Sequence, residues 1–368
     1  MPGSWTNMSN DSKKPSGRAE LLGALLKNVS RSFYLTLSVL PAGLRDPVGL
    51  AYLLARAADT VADTELIAPE RRLELLLALR ARINGEANTA AKDIAAELGA
   101  HQANPHERVL LQSLGPALGL LDECDPRDKI EIQRVVTTLT EGMELDLRTF
   151  PNETSGELAA LKNQTELERY TFLVAGCVGE FWTRMMMAHQ PALRKWDAPE
   201  MCACGIRFGK ALQYTNVLRD VPKDLRIGRC YFPEDMLAAH GLKPRDLLDP
   251  KNSARVRPVL VELAGVALDH FDEARRYLLA IPTRCPRLRL GCLWPILIGL
   301  ATLEKLGQNA DWLNPSKPSK ISRGSVKRTL ALSLPAVGSN RLLSWWIEKK
   351  MDAVRKSFGI VVGPSRSR

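Results

Sequence analysis

An all-α, single-domain helical bundle is what three features of the 368-residue sequence predict. Apolar residues recur three and four apart along most of the chain, and few alternating runs are long enough for strands. Acid-proline pairs such as Asp46-Pro47 and Asp125-Pro126 mark helix starts. The breaks between periodic stretches are short and rich in Pro, Gly and Asn, as connections in a compact bundle are.

In chain order, Met1 to Arg18 is Ser, Asn, Lys and Pro with no apolar segment, which reads as a disordered tail rather than an export signal. A helix is expected over 19–40. Asp46-Pro47 opens the next, Pro69-Glu70 opens a periodic run through Arg82, and further helices are expected over 88–99 and 104–122. Asp125 caps a run that continues to Thr149. Helices over 163–190, 198–222, 253–280 and 286–308 complete the body. Pro222 lacks an N–H and crowds the Leu218 carbonyl, so its helix should kink or end there. Asn314 to Lys320 reads as a linker. The boundaries therefore fall at 1–18, 19–310 and 311–368.

Composition narrows the classes. No run of eighteen apolar residues appears, so no membrane span is expected. The seven cysteines include no CxxC pair and read as reduced thiols of a cytoplasmic protein; Cys202-Ala203-Cys204 reads as small helix residues rather than a metal site. The net charge of +10 is concentrated at one end: from Asp311 to Arg368 stand twelve Lys+Arg and three Asp+Glu, 12 − 3 = +9. Within that segment Arg341 to Met351 mixes Trp, Leu and Ile with charge. Such a stretch suits a helix lying peripherally on the inner membrane face, or one packed on the body. No nucleic-acid partner is expected.

The chemistry concentrates in Gln213 to Asp224. On a helix, Asn216, Asp220 and Asp224 stand four apart on one face, a column of hard oxygen donors suited to magnesium and substrate phosphates. Arg219 beside it is a phosphate fork. A second column lies in Tyr52 to Asp63, with Asp59 and Asp63 four apart and Arg56 one turn earlier. Both columns sit among Ala, Leu and Val, where carboxylates are costly unless paired or metal-bound.

These stretches belong to an ordered set: Ser30-Arg31-Ser32-Phe33, Tyr52 to Asp63, Glu141 to Leu147, Val174 to Gly179, Gln213 to Asp224, and Gly228 to Pro233. Together they resemble the squalene/phytoene synthases, which join two allylic prenyl diphosphates head to head. The resemblance implies the class I isoprenoid synthase bundle with a central cavity. It implies magnesium on Asp59, Asp63, Asn216, Asp220 and Asp224, and diphosphate contacts from Ser30, Arg31, Arg56, Gln213, Arg219 and Arg229. Tyr52, Tyr170 and Tyr231 are the candidate catalytic residues. Phe33, Met143, Leu147, Phe172, Leu173, Val174, Gly176 and Trp294 would line the cavity, whose aromatic faces can stabilise a carbocation.

The implied reaction condenses two farnesyl diphosphates into presqualene diphosphate and then squalene, the last cation taking hydride from NADPH. Lys320 and Arg323 would hold the NADPH phosphates. Dehydrosqualene, phytoene or presqualene diphosphate are the neighbouring products. Two positions depart from the family pattern: Leu173 replaces a tyrosine assigned to proton removal or cation steering, with Tyr170 one turn away as a substitute, and Ala62 replaces an acid. A class I terpene cyclase, or a basic helical membrane- or nucleic-acid-binding protein, are the other readings. Loss of magnesium-dependent diphosphate binding in Asp59→Asn and Asp220→Asn separates enzyme from binder.

Overall fold

The computed structural model describes residues 17–30, 33–150, 153 and 155–360. The tail read over 1–18 lies, up to residue 16, outside them. The principal helices are α1 (Ala42–Ala62), α2 (Pro69–Ile83), α3 (Pro126–Thr149), α4 (Gln164–Thr171), α5 (Cys177–His189), α6 (Ala198–Asp224), α7 (Ser253–Ala280), α8 (Pro286–Gly307), α9 (Arg323–Ala336) and α10 (Asn340–Phe358). The all-α expectation holds. Among the described residues the strands are β1 (Ala159–Ala160) and β2 (Arg229–Cys230), which pair in parallel.

Helix starts follow the expected chemistry in most places. The Asp125 carboxylate accepts from the Arg127 N–H to cap α3, and Asp197 does the same for α6 through Glu200. Two boundaries differ. α1 begins at Ala42, so Pro47 lies inside it, and α6 runs through Pro222 to Asp224. Packing of α6 against α5, α7 and α8 supplies what the missing proline N–H does not.

Long helices pack pairwise around one core, α1 and α2 on α3, and α6 on α5 and α7. The closest approach needs glycine. A Cβ at Gly179 would stand 1.8 Å from the Gly205 carbonyl oxygen, and one at Gly209 would stand 2.2 Å from that of Ala175. Between α4 and α5 the chain makes a π-helical turn, Phe172–Gly176, inside the stretch expected as one continuous helix.

The C-terminal segment joins the same core. Leu343, Ile347, Met351, Val354 and Phe358 of α10 are buried against α7 and α8. The 314–320 stretch is held to the body rather than left as a free linker: the Asn309 amide donates to the Lys317 carbonyl and the Ser319 hydroxyl, and Trp312 is buried, donating to the Ser253 carbonyl. By length and composition α8 could cross a membrane, but 72% of its most apolar stretch is buried inside the bundle, as in a core helix.

Candidate active site

Carboxylates and arginines meet an apolar wall in a cavity of about 360 Å³. α1 contributes Tyr52, Arg56 and Asp59, and Asp63 at its C-cap follows on, because residues three, four and seven apart share a helix face. α3 contributes Leu139, Met143, Asp146 and Leu147 at the same spacing. Gly142 lets α3 approach the π turn, since a Cβ there would lie 2.6 Å from Val174 Cγ1. Tyr170 and Val174, four apart across that turn, complete the wall with Gln213.

Arg229 and Tyr231 arrive by another route. After α6 the chain turns through Gly228 at φ +79°, a conformation glycine adopts freely, and β2 pairs with β1. Arg229 then lies 3.7 Å from Asp146, 3.9 Å from Asp63 and 3.2 Å from Glu153. Tyr231 donates to Asp146 Oδ2 at 2.9 Å, and Tyr170 reaches the same oxygen at 3.5 Å. The two tyrosine rings stack, centroids 4.6 Å apart.

Burial and like charge leave the carboxylates poorly satisfied. Burial, then the neighbouring Asp63, pushes Asp59 up to about 6. Burial pushes Asp146 up to about 7 against the pull of Arg229. Asp224 also stands at about 7, through burial and then the charge of Asp220. Arg56 offsets part of this, bonded to Asp59 at 2.5 Å and to Glu107 at 2.6 Å. Among the described residues no three or more His, Cys, Asp or Glu side chains form a metal cage. Two carboxylate pairs still fit magnesium, which commonly takes one or two protein carboxylates and completes its shell with phosphate oxygens and water.

The lining thus unites Tyr52, Arg56, Asp59, Asp63, Met143, Leu147, Tyr170, Val174, Gln213, Arg229 and Tyr231. Asn216, Asp220 and Asp224 do not line it. Asn216 donates to Gln213 Oε1 at 3.3 Å, and Arg219 clamps Asp220 through two hydrogen bonds. Asp224 is near enough for its charge to act on Tyr170, Tyr231 and Asp146. Ser30 is buried off the lining, while Arg31 and the Phe33 side chain lie outside the described residues.

Other expected wall residues are elsewhere. Trp294 packs with Leu290 and Val337 and donates to the Ser333 hydroxyl, so it joins α8 to α9. Phe172 lines a separate groove with Phe181 and Arg134, Leu173 is buried in the bundle, and Gly176 makes room for the Phe172 ring and Ile206. Lys320 and Arg323 are exposed beside the start of α9, off the lining. Sequence reasoning had assigned no role to Asp146, Glu107 or Glu153. An acid on the apolar stripe Leu139, Met143, Leu147 was the available signal for Asp146. Glu107 and Glu153 carried none.

Residues 26–325 match the Squalene/phytoene synthase family. A bifunctional lycopene cyclase/phytoene synthase of Colletotrichum graminicola is 30% identical over 264 residues, 71% of this chain and 42% of that protein. The chain thus spans about four-tenths of the length of such two-activity relatives. A squalene synthase of Cyberlindnera jadinii is 25% identical over 328 residues, 88% of this chain and 69% of the relative. In fold, the chain is similar to TcSQS in complex with the ligand BPH1237, with a TM-score of 0.71, 20% identity and coverage of 93% of this chain and 98% of the other. A ligand-bound dehydrosqualene synthase gives a TM-score of 0.62 at 18% identity, covering 90% and 98%. The ordered motifs, the helical bundle and the match across most of its length together make this chain a member of the squalene/phytoene synthase family, enzymes that transfer prenyl groups and bind prenyl diphosphates.

Proposed function

We propose that this enzyme joins two prenyl diphosphates, farnesyl diphosphate first among them, head to head through a cyclopropylcarbinyl diphosphate. The observation that carries the reading is the mixed lining of one cavity, where Asp59, Asp63, Arg56 and Arg229 meet the apolar Leu139, Met143, Leu147 and Val174. An allylic diphosphate needs both, charge around its leaving group and a water-poor surface around its carbocation.

Asp59 and Asp63, with Asn216, Asp220 and Asp224, are the residues that would hold magnesium, which when bound would neutralise the departing diphosphate. Arg56 and Arg229 donate to diphosphate oxygens and hold the leaving group in place. The stacked Tyr170 and Tyr231 rings offer electron-rich faces to the cation. Squalene, formed with NADPH hydride, and its unreduced counterparts share this condensation. Lys320 and Arg323 are the residues available for NADPH phosphates, whereas Asp146 on the lining favours an ending by proton loss.

The test is incubation of the purified full chain with farnesyl or geranylgeranyl diphosphate and magnesium, with and without NADPH, extracting before and after phosphatase. A head-to-head hydrocarbon or cyclopropylcarbinyl alcohol that disappears with a chelator supports the proposal. Failure to form either from both substrates overturns it.

A peripheral position on the cytoplasmic membrane face is the second part of this reading. Leu332, Leu334, Leu342 and Trp345 are 50–58% exposed on α9 and α10, near in sequence to Lys327, Arg328, Arg341 and Lys349. Apolar side chains among cations suit an anionic lipid surface, and the product is a hydrocarbon.

A further inference from the structure

We infer that Asp146 and Tyr231 form a proton relay that ends the reaction by proton loss, Tyr231 meeting the substrate and Asp146 acting through it as the positioning and proton-holding residue. The inference rests on the head-to-head condensation proposed above. Both side chains line the cavity, and the Tyr231 hydroxyl donates to Asp146 Oδ2 at 2.9 Å. Asp146 Oδ1 is buried with no hydrogen-bond partner. Only Oδ2 of this carboxylate is turned to the tyrosines.

The surroundings suit an acceptor. Leu139, Met143 and Leu147 flank Asp146 on α3, so the relay lies beside apolar side chains able to shelter a carbocation. Leu173, which stands where the family pattern has a tyrosine, is buried off the lining, leaving Tyr170 and Tyr231 as the hydroxyls presented to Asp146. The charged and titratable groups around Asp146 are Arg229, Asp63, Asp224, Tyr170 and Tyr231. Burial holds the carboxyl near neutrality, the range in which a general base is most effective.

The step balances without a reductant. After the cyclopropylcarbinyl diphosphate ionises, the diphosphate leaves with its electron pair and the carbon skeleton rearranges. A C–H bond beside the cationic carbon then breaks, and its electrons form the central C=C. The proton passes to the Tyr231 oxygen as the tyrosine's own proton moves to Asp146 Oδ2. The cation becomes neutral, the carboxylate becomes a carboxylic acid, and nothing is oxidised or reduced.

The test compares wild type, Asp146→Asn, Asp146→Glu and Tyr231→Phe, each checked for folding by circular dichroism, with farnesyl diphosphate and magnesium. Wild type should release the unreduced hydrocarbon without NADPH. In Asp146→Asn and Tyr231→Phe the cation lacks its base and is recaptured by the diphosphate, so the hydrocarbon-to-intermediate ratio should fall by about 10²-fold, with partial rescue in Asp146→Glu. In wild type that ratio should fall as pH is lowered and the carboxylate takes up a proton, and in Asp146→Asn this dependence should vanish. Three outcomes overturn the inference while leaving the condensation standing: an unchanged ratio in Tyr231→Phe, a wild type that makes only the NADPH-reduced product, or a folded Asp146→Asn that blocks formation of the intermediate itself. A wild type that condenses nothing overturns both.

Discussion

Glu153 holds Arg229 at 3.2 Å while accepting two hydrogen bonds from the buried Arg72, at 3.1 and 3.2 Å. Arg72 sits on α2 and Arg229 on β2, so one carboxylate ties α2 to the cavity wall. Its position lets Arg229 face Asp63 and Asp146 at once.

Removing that carboxylate leaves two buried guanidiniums facing each other. Glu153→Gln is expected to destabilise the fold by about 3–5 kcal/mol, the cost of breaking a buried ion pair. It should also raise KM for the diphosphate through a misplaced Arg229. Chemical denaturation and steady-state kinetics check the two effects separately.

The contact between α5 and α6 admits no side chain at its centre. Gly179→Ala should therefore force the helices apart and cost about 3 kcal/mol or more. Gly265→Ala on α7 is the control: a Cβ there meets nothing within 4 Å, so it should gain roughly 0.5–1 kcal/mol from helix propensity. Thermal unfolding of the pair should show shifts of opposite sign.

Asp59→Asn and Asp220→Asn should each lower kcat by roughly 10²-fold or more and raise the magnesium needed for half-maximal rate, if the two acidic columns hold the ion. A magnesium titration of turnover decides this. Wild-type turnover in both variants would end the magnesium assignment.

Asp146 should also shape stability against pH. Its folded-state acid constant, about 7, lies above the unfolded carboxylate value, so the folded form binds its proton more tightly. Stability from this group is present below about pH 4 and falls as pH rises towards 7, by an amount on the order of a few kcal/mol. Asp146→Asn should accordingly gain on wild type as pH is raised from 5 to 8. Unfolding midpoints measured at both values test the sign.

Trp345→Asp together with Leu342→Asp should reduce binding to vesicles containing anionic lipid several-fold and leave unfolding unchanged, because both side chains are half or more exposed. Sedimentation with phosphatidylserine vesicles and with neutral ones separates an apolar contribution from a purely electrostatic one.

What could be read in advance follows from how far apart the participants lie in the chain. Asp59 and Asp63, four residues apart among Ala and Leu, announced both a helix and a shared face. Glu107 bonds Arg56 across 51 residues and Glu153 bonds Arg229 across 76, and no local pattern connects them. The spacing of Asn216, Asp220 and Asp224 was legible in the sequence, but the cavity lining was not: Arg219 folds back on its neighbour Asp220, and the lining takes Gln213 from that helix instead. Trp294 misled because an aromatic on an apolar helix suits a core contact as well as a cavity wall; its indole N–H found Ser333.

The π turn at Phe172–Gly176 works as a phase shift. One additional residue in a helical turn advances every later side chain by about 100° around the axis. Upstream of it, α4 presents Tyr170 to the cavity; downstream, α5 sets Gly179 against Gly205 of its neighbour. Removing one residue here would leave a regular helix and put its halves out of step: either the tyrosine would keep its place and the glycine seam would open, or the seam would stay closed and the tyrosine would rotate out of the reaction chamber.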